Sequence, residues 1–75
     1  MAGDPLIVDA RGLDPPEPLE RVLEALDRLE PGQRVLLLLE REPFPLYRIL
    51  EHNGYQHATW VNEEGTFHIE IWARA

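Results

Sequence analysis

Few residues in this chain could do covalent chemistry. There is no Cys, no Ser and no Lys. A thiolate, a serine nucleophile and a lysine Schiff base are therefore all excluded. Any catalytic triad would need Thr59 or Thr66, and both fall in a predicted hairpin. The only imidazoles are His52, His57 and His68, and no two stand at the i,i+4 spacing of a helical metal site. No Gly-rich phosphate loop is present. Fourteen acids in 75 residues place carboxylates side by side by chance, so such pairs carry no weight. The expectation is a protein that is not an enzyme and holds no metal, haem or other cofactor.

Arginine offers more. Arg11 and Asp14 follow the first predicted strand, and Arg41 and Glu42 follow the second. Parallel neighbouring strands would bring these loops to one end of a sheet, where α/β proteins bind ligands. Two guanidinium groups there could grip a carboxylate or phosphate bidentately. They could equally be tied up with Asp9, Asp14 and Glu42, fixing loop geometry.

Seventy-five residues make one small domain, 1–75, with a core of marginal size. The formal charge of −7 opposes nucleic acid and anionic membranes. The longest apolar run, Val35 to Leu39, is far short of the roughly 20 residues a membrane span needs. The first residues carry neither a basic nor an apolar signal segment, so a cytoplasmic location is expected. Seven Pro and few Asn or Gln would suit a thermophile, although a GC-rich genome also gives Arg without Lys.

Leu6-Ile7-Val8 reads as a first strand, with Arg11-Gly12 as the following turn. Asp14-Pro15-Pro16-Glu17-Pro18 delays the first helix, because each Pro pushes its predecessor out of the α region. Pro18 or a neighbour then sits in the first helical turn. Leu19, Val22, Leu23, Leu26 and Leu29 form one apolar stripe, and Pro31-Gly32 ends the helix. Glu17→Arg21 and Glu24→Arg28 are favourable i,i+4 pairs on the outer side. Arg34 to Glu40 holds five apolar residues without alternation, the mark of an interior strand. Leu46, Tyr47, Ile49 and Leu50 give a second, shorter helix that stops at Asn53-Gly54.

Tyr55–Asn62 and Thr66–Ala73 are two further strands, joined by Glu63-Glu64-Gly65. That loop pairs Val61 with Phe67, Thr59 with Ile69 and His57 with Ile71 on the core side. It pairs Trp60 with His68, Ala58 with Glu70 and Gln56 with Trp72 on the other. The order is β-α-β-α-β-β. Right-handed crossovers with both helices on one face give strand order 1-2-4-3, a two-layer α/β sandwich with one open sheet face.

The stretch Leu6 to Leu19, with Asp9, Gly12-Leu13 and Pro16-Glu17-Pro18, resembles the opening of the TusA/SirA-like sulfur-carrier family. Gly32, the apolar strand, the charged-Pro break and Gly54 continue the likeness over nearly the whole chain. The resemblance implies the same β-α-β-α-β-β sandwich. The family's sulfur-accepting Cys falls at Pro15, which has no thiol, so persulfide carriage is not implied. The chain is closer to a Cys-less, uncharacterised branch of that family, a domain of unknown function. Arg41-Glu42-Pro43-Phe44-Pro45-Leu46-Tyr47 matches the second motif of that branch.

Two surfaces follow as candidates. One is the Pro-x-Pro end of the sheet, with Arg11, Asp14, Pro16, Glu17, Pro18, Arg41 and Glu42. Free N–H groups at the first helix start could hold an anion or a partner's carboxylate, unless Asp14 and Glu17 cap them. The other is the open sheet face, with Trp60, His68 and Trp72 beside either Leu36/Leu38 or Val35/Leu37/Leu39. An apolar patch of this kind marks an association surface, a homodimer among the options, unless Glu40, Glu70 and Arg74 cover it. The expected role is a non-enzymatic protein-interaction module with an unidentified protein partner. The resemblance alone links it to redox or sulfur metabolism. The alternative is a small anionic ligand or cofactor held by Arg11 and Arg41.

Overall fold

The computed structural model of the protein describes residues 3–74. The elements run β1 (Leu6–Asp9), α1 (Glu17–Asp27), β2 (Val35–Leu39), α2 (Phe44–His52), β3 (Tyr55–Val61) and β4 (Phe67–Ala73). They build one four-stranded sheet in the order β1-β2-β4-β3. β1 and β2 are parallel, and β4 runs antiparallel to both β2 and β3. Element order, strand order and the hairpin register all agree with the sequence-based expectation. Val61 pairs with Phe67, Thr59 with Ile69 and His57 with Ile71.

Period-2 alternation divides β2 between two environments. Val35, Leu37 and Leu39 point into the core, while Leu36 and Leu38 point to the open face. Val35 and Leu37 are completely buried, as are Ile69 and Ile71 on β4. The helices close this side with Val22, Ala25 and Leu26 from α1 and Leu46 and Leu50 from α2. Each large apolar side chain buried there contributes about 1.5–3 kcal/mol.

The apolar stripe of α1 needs correction in detail. Ala25 is buried within it, and Leu23 lies at its edge, 41% exposed. The helix ends at Asp27, before Pro31-Gly32. Its last amides tighten to i−3 acceptors, Arg28 N–H to Ala25 O and Leu29 N–H to Leu26 O. This tightening lets Leu29 turn onto the core beyond the helix. Glu24 and Arg28 pair at 2.8 Å, whereas Glu17 and Arg21 form no ion pair among the described residues. On β3, Val61 sits on the helix side of the sheet but beyond Thr59, which still reaches α2, and it remains 53% exposed. No helix among the described residues is long and apolar enough to cross a membrane.

Candidate functional site

Because β1 and β2 are parallel, the loops that follow them meet at one end of the sheet. Gly12 makes the first loop turn with a positive φ of 78°, a conformation costly for any residue with a Cβ. Its amide then donates to Glu40 Oε1 at 2.6 Å, strapping the first loop to the second. Leu13 N–H returns to Ala10 O, and Ala10 N–H extends the β1–β2 pairing to Leu38 O. Both helices then begin with prolines. Glu17-Pro18 opens α1 and Phe44-Pro45 opens α2.

Neither helix start has a side-chain cap. Asp14 and Glu17 do not cap α1, in contrast to one reading of the sequence. The Glu17 amide goes instead to the Asp14 carbonyl, and the Glu20 amide goes to Pro16 O. Pro18 has no N–H to satisfy, so the prolines remove donors that a capping carboxylate would otherwise serve.

Between the loops lies a cavity of about 400 Å³. Its apolar wall is Ala10, Leu13, Leu39, Pro15, Pro18, Pro43 and Pro45. Its charged lining is Asp14, Glu40, Arg41 and Glu42. Glu40 is engaged by Gly12, and Glu42 Oε2 accepts from the Tyr47 hydroxyl at 3.0 Å. Tyr47 Oη also lies 2.6 Å from Thr59 Oγ1, and its ring stacks on His57 at 4.3 Å. Burial, partly offset by the Thr59 hydrogen bond, raises the Tyr47 pKa, and the neighbouring Glu42 raises it further.

The two arginines do not converge. Arg11 turns to Asp9, with Nε to Oδ1 at 2.9 Å and Nη2 to Oδ2 at 2.8 Å. That bidentate pair lowers the Asp9 pKa to about 2, assisted by the Arg11 backbone amide. Arg41 lines the cavity and Arg11 does not. Asp14, Pro18 and Glu42 share the lining with Arg41, while Pro16 and Glu17 are exposed outside it.

On the open face, Trp60 and His68 stack with ring centres 5.3 Å apart and planes within 7°. Asn62 Oδ1 accepts from the amides of Glu64 and Thr66, so its Nδ2 is turned to His68 Nε2 at 3.3 Å. His68 Nδ1, on the other side of the ring, is buried without a hydrogen-bond partner among the described residues. Trp72 is covered differently. Arg34 lies over its ring at 4.3 Å and pairs with Glu70 at 3.1 Å, while Trp72 Nε1 donates to Gln56. The covering charge is thus Arg34. Ile7, 65% exposed, extends the apolar band beside Leu36. Sequence reasoning missed both Ile7 and Arg34, although alternation along β1 and β2 carries the signal for each.

His57 and His68 fall on opposite sheet faces, as their register requires. No group of three metal-ligating side chains gathers among the described residues.

A two-layer sandwich of this topology, with Pro-x-Pro helix starts around one cavity, defines a SirA-like domain. The fold is that of a SirA-like protein from Desulfitobacterium hafniense, whose crystal structure superposes with a TM-score of 0.80 at 28% identity over 100% of both chains. Residues 7–73 match the family described as "Uncharacterized conserved protein (DUF2249)", and the chain belongs to that family. No curated protein matches. The likeness read from the two Pro-x-Pro motifs therefore holds, and Pro15, aligned by it with the carrier cysteine, stands in the cavity wall.

Proposed function

We propose that this SirA-like domain is a non-enzymatic protein-interaction module that works in a redox or sulfur context and contacts its partner through the cavity between the two Pro-x-Pro helix starts. The observation that carries this reading is the wall itself. It is built of prolines and aliphatic side chains, with Pro15 where the resemblance to the sulfur carriers would put their cysteine, and no thiol, hydroxyl or imidazole in the lining. Such a surface supports binding rather than bond making. Prolines have little conformational freedom left to lose on contact, which favours a preorganised docking site.

The alternative, a small anion held by Arg11 and Arg41, loses support from the Asp9 pair that occupies Arg11. Co-purification from the native host tests the choice. A protein retained by the wild-type chain, lost with Pro15→Arg and Pro45→Arg and kept with Trp60→Ala, supports the module. A metabolite that raises the melting temperature and is lost with Arg41→Ala supports the anion binder instead.

A further inference from the structure

Along β2 the outward-facing positions and their flanks read Arg34, Leu36, Leu38 and Glu40, a cation and an anion bracketing two leucines. Leu36 lies level with Ile7, Glu70 and Ala58. Leu38 lies level with Asp9, His68 and Trp60. Consider a two-fold axis in the plane of this face, crossing β2 at right angles between Leu36 and Leu38. It sets Arg34 against Glu40 of a second copy and Leu36 against its Leu38. It also brings Glu70 to His68 of that copy and lays Trp60 over its Ala58, a large side chain over the smallest of the face. We infer that the open sheet face is the contact surface of a homodimer, closed by this two-fold arrangement and sharing only Glu40 at its rim with the cavity proposed for the heterologous partner.

Charge and size agree with this choice of occupant. The chain as a whole carries −7 and repels a copy of itself over most orientations. This face sets Arg11 and Arg34 against Asp9, Glu40 and Glu70; the two-fold joins Arg34 to Glu40 of the copy at its rim and leaves Asp9, already paired with Arg11, facing Ile7. Arg34 keeps donors to spare beyond its Glu70 pair. Four strands about 4.8 Å apart and three rows of outward residues make a face roughly 20 Å on a side. Two such faces bury on the order of 1,000 Å², the lower limit for a specific interface, so a weak, concentration-dependent dimer is expected.

Sedimentation velocity of the full chain over a concentration series decides it, with circular dichroism confirming that each variant is folded. The wild type should move from 8.7 kDa toward twice that mass as concentration rises. Arg34→Glu alone and Glu40→Arg alone should each stay monomeric. Their equimolar mixture should regain the dimer, because a heterodimer restores both opposite-charge contacts. Ile7→Glu, at a side chain already 65% exposed, should also abolish the dimer and is the variant least able to disturb folding. A wild type that stays at 8.7 kDa throughout overturns the inference and leaves the face to water or another protein. A dimer unaffected by Ile7→Glu, a mixture that stays monomeric, or growth past the dimer also overturns it. Ile7 and Arg34 lie outside the Pro-x-Pro cavity, so Ile7→Glu and Arg34→Glu separate failure of the dimer from failure of binding there.

Discussion

Glu40 accepts the Gly12 amide at 2.6 Å and so joins the two loops that wall the cavity. The turn that aims this amide exists because Gly12 adopts a φ of 78°. A Cβ built there meets nothing within 4 Å, so the penalty for substitution is conformational rather than steric. Gly12→Ala should cost about 1 kcal/mol in chemical denaturation. Glu40→Gln keeps an acceptor oxygen and should cost less than Glu40→Ala, which leaves the amide without its partner.

Asp9 gives the fold an acid-sensitive point. Its carboxyl titrates at about 2 when folded against an ordinary value of 3.8, chiefly because Arg11 donates to it. The folded state therefore binds fewer protons than the unfolded chain between these values. The contribution is complete above pH 4 and is lost as the pH falls toward 2. The pair is solvent-exposed, so salt should weaken it. Asp9→Asn should flatten the fall of melting temperature between pH 4 and 2, and high salt should flatten it in the wild type.

Tyr47 fastens α2 to β3 through Thr59 and to the second loop through Glu42. Tyr47→Phe removes both hydrogen bonds and should destabilise by about 1–2 kcal/mol. The raised pKa of Tyr47 means that the folded state holds this proton more tightly than the unfolded chain. Its contribution is present below the ordinary value of 10.0 and is lost as the pH rises through the higher folded value. Ultraviolet titration of the phenol in the folded protein should show one late-ionising tyrosine that disappears in Tyr47→Phe.

Asn62 organises the hairpin end by accepting two backbone amides through one oxygen. Asn62→Ala should cost about 1–2 kcal/mol and loosen the Trp60–His68 stack, visible as a change in tryptophan fluorescence. Asn62→Asp keeps the accepting oxygen. It should therefore cost less than Asn62→Ala in chemical denaturation.

Much of this architecture is legible in residue order because it follows from periodicity and punctuation. Prolines 15, 16 and 18 delay α1, and Gly65 closes a three-residue hairpin loop whose length alone fixes which residues of β3 and β4 face each other. Details that depend on tertiary geometry were not legible. The five apolar residues of β2 could point either way until β1 and β4 set the register. Arg11 was equally suited to a ligand or to Asp9, and the structure brings it within 2.8 Å of that carboxylate. The Gly12–Glu40 strap and the Tyr47–Thr59 bond join residues far apart in the chain whose types alone give no hint of contact.

Docking of a protein in the Pro-x-Pro cavity has a direct readout. Photo-crosslinking from a reactive residue at position 45, on the exposed rim of that cavity, tests it most directly against a control at position 24 on the outer side of α1. One discrete adduct of defined mass is expected from position 45 in extract of the native host, with none from position 24. Adducts absent from position 45, or the same from both positions, would contradict it.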